Sequence, residues 1–185
     1  MILPVFAFGQ PVLKKKAINI TSEFEDLQTL IENMWETMYA ANGVGIAAPQ
    51  IGLAIRLFVI DTIQIMDDEK KSEGIKKVFI NAQVIEETGD LWSYEEGCLS
   101  IPDIRADVER PQKVRIQYFD DNFKKHDEIY EGINARVIQH EYDHIEGILF
   151  VEKLKPLKKK LVQRKLNDIK AGKVNADYKI KFARL

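Results

Sequence analysis

The 185-residue chain contains one cysteine, Cys98, so no intrachain disulfide can form. Small secreted domains usually depend on several such bridges, and a single thiol favours a reducing compartment. No apolar run is long enough to span a bilayer, and the apolar stretch from Met1 to Gly9 is interrupted by Pro4 and has no basic leader. Neither a signal peptide nor a membrane partner is expected. The expected location is cytoplasmic, and the sequon Asn19-Ile20-Thr21 is expected to stay unmodified. Histidine is scarce, at 3 residues, and no repeat, linker or low-complexity segment divides the chain. A hydrophobic content of 45% against 30% charge fits one globular domain over residues 1–185. The net charge of −2 hides an asymmetry, because a mildly acidic body precedes a basic helical extension from about residue 152.

What is present suggests a strand-rich first part and a helical last part, hence an α+β fold. Ser22 with Glu25 has the form of a capping box, and apolar residues recur at Phe24, Leu27, Ile31, Met34, Met38 and Ala41. This predicts an amphipathic helix ending near Asn42-Gly43. Residues 55–60, 77–81 and 113–119 are short, rich in β-branched or aromatic residues, and predict strands. The charged stretch 67–74 between the first two predicts an exposed hairpin connection. A second helix is predicted over 131–145 with Gly147 at its stop. A third is predicted from Pro156 to about Ala171, with Leu157, Leu161, Leu166 and Ile169 on one face and Gly172 after it.

The most informative segment is His140-Glu141-Tyr142-Asp143-His144. On a helix this spacing puts both imidazoles on one face, about 5–6 Å apart at Cβ. Two such rings can converge on one divalent metal ion, with the intervening Glu141 in reach of a water at an open coordination position. Two hydrogen-bonded structural histidines are the plainer alternative. A third ligand has two sources. Glu152 and its acidic neighbours follow the helix, and Cys98 precedes it in the polar turn Glu95-Glu96-Gly97-Cys98-Leu99-Ser100. Cysteine is often only a small buried hydrophobe, but two imidazoles plus a thiolate leave the fourth position that catalytic sites keep open.

Gly43-Val44-Gly45-Ile46-Ala47-Ala48-Pro49-Gln50 has a nucleotide-loop form, yet it follows a helix rather than a strand, and Pro49 sits where a helix would propagate. A nucleotide role is therefore excluded. Small residues here permit close backbone approach to a ligand, and Gln50 can donate to a developing oxyanion; a tight helix-to-strand turn is the structural alternative.

Together, the segments Gly43 to Gln50, Glu96 to Ser100 and Gln139 to Gly147 resemble the three signature segments of peptide deformylases, in order and in spacing, within a likeness covering roughly residues 4–150. Gln10 and Lys14 depart from the family's usual acidic residue and arginine, which touches packing or rim contacts. The resemblance implies an α+β fold with antiparallel strands around a central metal-binding helix, followed by an additional C-terminal helix. It implies removal of the N-formyl group from N-formylmethionyl nascent peptides. Cys98, His140 and His144 would be the metal ligands. The ion would commonly be Fe²⁺, with Zn²⁺, Ni²⁺ or Co²⁺ accepted. Glu141 would carry the proton, while Gln50 and the Leu99 backbone N–H would hold the oxyanion. By the same resemblance, substrate backbone would lie along Gly43, Val44 and Gly45. Val44, Ile133 and Val137 would wall a methionine pocket, with Glu96 and Arg105 nearby. Asp143 would orient a ligand or pair with Arg110, unless it is an exposed helix carboxylate.

The lysines and arginine from Lys153 to Lys165 suit contact with ribosomal RNA, although a solvated helix face is the commoner cause of such a run. Two rivals stay open: another metal-dependent amidase or peptidase on the same site, and a non-enzymatic metal- or ribosome-binding module.

Overall fold

A computed structural model describes residues 1–183. Its elements, in chain order, are β1 (Val5–Phe6), α1 (Leu27–Ala40), β2 (Gly45–Ala47), β3 (Leu57–Asp61), β4 (Lys76–Cys98), β5 (Ile101–Phe119), β6 (Lys125–Glu131), α2 (Gly132–Ile145), α3 (Pro156–Lys170) and β7 (Ile180–Lys181). Five strands form an antiparallel sheet in the order β2-β3-β4-β5-β6, and β1 pairs in parallel with β7. This is the expected mixture of helix and antiparallel sheet.

All five residues of β3 are buried because the sheet is covered on both faces. Alternation sends Leu57 and Val59 to the cluster with Met34 and Met38 of α1. Phe58 and Ile60 face the other way, into the cluster with Ala135, Ile138 and Ile145 of α2. The helix bearing the histidines is thus packed against the inside of the sheet by its apolar stripe. A third cluster joins Ile101, Ile104 and Val108 of β5 to Val162, Leu166 and Ile169 of α3.

Helix ends follow local rules closely. At α1, Asn42 takes a left-handed conformation (φ 54°), the Gly43 N–H reaches Met38 O at 2.8 Å, and the Asn42 N–H reaches Tyr39 O at 3.0 Å. The same double closure ends α2 at Gly147 (φ 74°), through the Ile148 N–H on Asp143 O and the Gly147 N–H on His144 O.

Three expectations need correction. The capping box at Ser22 does not form. Phe24 N–H instead closes a turn on Thr21 O, Asp26 is left-handed (φ 54°), and α1 starts at Leu27. The predicted short strands at 77–81 and 113–119 are parts of a long ribbon, β4 paired with β5 over most of their lengths. On α3 the buried stripe is Val162, Leu166 and Ile169, while Leu157 and Leu161 are 72% and 68% exposed. Leu157 lies nine residues before Leu166, half a turn around the helix, so the two cannot share a face. The charged hairpin connection is present as a short 3-10 segment, Asp68–Glu73, between β3 and β4.

Candidate metal centre

The site forms where three segments distant in sequence meet. His140 and His144 lie one turn apart on α2, with ring centroids 5.2 Å apart. Cys98 is the last residue of β4, before the two-residue turn Leu99-Ser100 that leads into β5. Its Sγ lies 3.3 Å from His144 Nε2, and one ligand atom from each of the three residues falls within 4.8 Å of the others. Two imidazoles and one thiol so placed match the donor set of a divalent transition-metal site. Glu152 is spent elsewhere, pairing with Lys14 at 2.6 Å and accepting the Leu149 N–H at 2.7 Å.

The electrostatics fit a cation. Burial, followed by the neighbouring His140 and Arg110 charges, pushes His144 well below the ordinary imidazole range, leaving it neutral as a ligand must be. Burial also opposes charge on His140, but Cys98 and Glu96 outweigh it and draw its pKa well above the ordinary value. Glu141 is 4% exposed, and its Oε2 has no hydrogen-bond partner among the described residues. Burial is the main reason its carboxyl is pushed up to about 7. This carboxylate oxygen, without a partner among the described residues, belongs to a side chain that lines the same cleft as Cys98 and His140. Gly45 makes this arrangement possible, since a Cβ on it would lie 2.6 Å from Glu141 Oε1.

A network of charges orients the ligands. His140 Nδ1 faces Glu96 Oε2 at 2.8 Å, which leaves Nε2 for the site. Burial would raise Glu96, but hydrogen bonds from His140 and Arg110 hold it well below the usual carboxylate range. Arg110 donates to both Glu96 oxygens, at 2.7 and 3.0 Å, and to Asp143 Oδ2 at 2.7 Å. Asp143 is therefore buried and paired with Arg110 rather than exposed. Arg136 adds a third donor to Glu96 at 2.9 Å, and its guanidinium stacks 4.5 Å from the Trp92 ring. Sequence reasoning did not single out Arg136, although its position one turn before His140 on α2 was a usable signal.

A cleft of about 770 Å³ opens above the site. It is lined by Gly43, Val44, Gly45, Gln50, Glu96, Cys98, Leu99, Arg105, Ile133, Val137, His140 and Glu141, so the structure brings all of these predicted residues together. His144 lies beneath the floor, 1% exposed. Gln50 is 1% exposed, accepts the Ala47 N–H at 2.9 Å, and points its Nε2 at Cys98 Sγ (3.5 Å) and Ser100 Oγ (3.3 Å). Arg105 sits at the exposed rim, paired with Glu95 at 3.0 Å. Glu96 lines the floor, but its carboxylate is committed to two arginines and His140. Asn175, Ala176, Asp177 and Tyr178 also line the cleft, and no sequence pattern had pointed to them.

Residues 2–160 match the family described as polypeptide deformylase. The chain is 55% identical to a peptide deformylase from Christiangramia forsetii, covering 98% of this chain and 96% of that one, and 52% identical to one from Flavobacterium johnsoniae, covering 99% and 97%. The crystal structure of a peptide deformylase from Legionella pneumophila superposes with a TM-score of 0.81 at 39% identity, covering 94% of this chain and 98% of that one.

Proposed function

The chain belongs to the peptide deformylase family and removes the formyl group from nascent peptides that begin with formylmethionine; we propose that Cys98, His140 and His144 hold its metal ion and that Glu141 carries the proton. The observation that carries these roles is the convergence of three ligand atoms beside the unpaired Oε2 of buried Glu141. The family is metal-dependent. Within it we favour Fe²⁺ here, with Zn²⁺, Ni²⁺ or Co²⁺ suited to the same mixed nitrogen and sulfur donors.

An ion held by Cys98, His140 and His144 would supply Lewis acidity for activating a water and the formyl group. Glu141 accepts the proton from the attacking water and delivers it to the leaving amine. As the formyl carbon becomes tetrahedral, the Gln50 side chain and the Leu99 N–H donate to the developing oxyanion. Gln50 is pre-aimed because its own oxygen is fixed by the Ala47 N–H. Glu96, locked by Arg110 and Arg136, keeps His140 in the tautomer that presents Nε2.

Among the described residues β2 pairs only with β3, and we assign its other edge, beside Glu141, to substrate backbone lying along Gly43 to Gly45 in an extended pose. Val44, Ile133 and Val137 give the apolar wall for methionine, and Arg105 with Glu95 forms its rim. The exposed lysines of α3 support ribosome contact, and we place the activity in the cytoplasm where nascent chains emerge. No helix among the described residues is long and apolar enough to cross a membrane.

Formate release from a formyl-Met peptide tests this reading, with enzyme purified without oxygen, loaded with Fe²⁺ or Ni²⁺, and compared on an acetyl-Met peptide. Rapid formate with no acetate is the expected result. A fully metallated, folded protein without turnover would overturn it.

A further inference from the structure

The Leu99-Ser100 turn carries one of the two proposed oxyanion donors, and its own hairpin closes it through the Cys98–Ile101 pair. The β4–β5 register slips between Gly97 and Cys98, immediately before the turn. Beyond that pair, two backbone carbonyls of the turn are held from outside the hairpin. The Phe8 N–H donates to Ser100 O at 2.8 Å, and the Tyr178 hydroxyl donates to Leu99 O at 2.7 Å. These two donors come from opposite ends of the described chain.

Those two ends are joined to each other. Val5 N–H donates to Lys179 O at 2.8 Å and Ala7 N–H to Lys181 O at 2.9 Å, which are the bonds of the β1–β7 pair. Gln10 Nε2 adds a bond to Phe182 O at 2.7 Å. Phe8 lies two residues past β1, and Tyr178 lies two residues before β7. The pair therefore sets the spacing between the two groups that grip the turn. The Tyr178 ring packs against the core cluster containing Met34, Met38 and Leu57, which gives its hydroxyl a fixed base.

The mechanical consequence follows from covalent geometry. The N–H and C=O of Leu99 flank one Cα, and only two soft torsions separate their peptide planes. The Leu99 N–H lies in the plane before Leu99, which β4 anchors at its Cys98 end, while Tyr178 holds the plane after Leu99 and so limits rotation at the other end. With both held, the N–H keeps its direction without reorganising during reaction, which is what makes an oxyanion donor effective.

We propose that the paired chain ends clamp the Leu99-Ser100 turn, and that Tyr178 is a positioning residue that aims the Leu99 N–H at the reacting carbonyl. This rests on the deformylase reading for its effect on rate, but the clamp itself can be observed without substrate.

Tyr178→Phe is the test, because it keeps the packed ring and removes only the hydroxyl. Two readouts apply: the carbonyl ¹³C resonance of Leu99 in the Zn²⁺-loaded, substrate-free protein, and steady-state formate release by the metal-loaded enzyme. Loss of one neutral hydrogen bond should move that resonance upfield and lower kcat about three- to tenfold, with KM within about twofold of wild type. An unmoved resonance overturns the clamp. A moved resonance with unchanged kcat, or a change confined to KM, overturns the positioning role and leaves the tail as a binding wall. If wild-type enzyme releases no formate, the deformylase reading fails while the resonance still decides the clamp.

Discussion

Gly45→Ala tests how finely Glu141 is placed. Gly45 is buried in β2 and its φ is not positive, so alanine can adopt its backbone, and the effect must come through the added Cβ. That atom would meet Glu141 Oε1 at 2.6 Å and both Cδ and Cγ at 2.8 Å. Three atoms along the side chain are too close, so rotating the carboxylate tip cannot relieve the clash. The side chain must retreat about 0.8 Å to reach ordinary contact, and a misplacement on that scale costs about 10²-fold in rate. Crowding a packed interior should also cost about 1–3 kcal/mol of stability. Cys98, His140 and His144 are untouched, so metal content should stay at one ion per chain. The assay is steady-state formate release, with metal analysis and urea unfolding on the same preparation. A fall in kcat larger than the rise in KM is expected. A metal-replete variant with kcat within a few-fold of wild type would refute the idea that Glu141 depends on this placement.

Other perturbations separate the remaining roles. Glu141→Ala should retain the metal and lose about 10²- to 10⁴-fold in kcat, whereas His144→Ala should lose the metal; a metal-free Glu141→Ala protein of unchanged fold would contradict the assignment. Cys98 is only half-buried, so an iron-loaded preparation should lose activity in air through thiolate oxidation, and equal durability with and without oxygen would argue against iron on an accessible thiolate. Glu128 gives a pH prediction. Burial would raise its carboxyl, but hydrogen bonds from Tyr118, Tyr130 and Lys77 hold it at about 2. A depressed folded pKa stabilises above the unfolded value near 4.5, and that contribution is lost as pH falls through about 2. With Glu128 35% exposed, solvent screening reduces the contribution to about 1–2 kcal/mol. The stability gap between wild type and Glu128→Gln, measured by urea unfolding, should narrow from pH 4.5 to pH 2; a constant gap would refute the coupling.

The features legible in the sequence are those set by short-range geometry. The spacing of His140 and His144 fixes one helix face, and Asn42, Gly147 and Gly172 end three helices by supplying left-handed residues where the chain must turn. Gly45 could be read as a site of close approach, but not as the residue that makes space for Glu141. The long ribbon was missed because most of β4 from Glu86 to Glu95 is exposed, so it shows no alternation of buried and polar residues. Its partner β5 does alternate buried and exposed residues from Pro102 to Arg110, a strand signal the sequence reading passed over.

Local pattern also misled where competing local structures were available. Ser22 and Glu25 have the residue types of a cap, yet a turn at Thr21 to Phe24 and the left-handed Asp26 delay the helix to Leu27. On α3, four apolar residues suggested one face, but the packing surface of β5 selected Val162 with Leu166 and Ile169.

By itself, then, the sequence determined that two imidazoles and a carboxylate share one helix, because a 3.6-residue period is a property of the backbone alone. Only the tertiary structure decided what meets them. Cys98 lies 42 residues from His140, Glu96 collects Arg110 and Arg136 from separate elements, and Tyr178 returns from beyond α3 to hold Leu99. Contacts between such distant residues arise only when a common core closes the intervening chain, and no spacing rule encodes that closure.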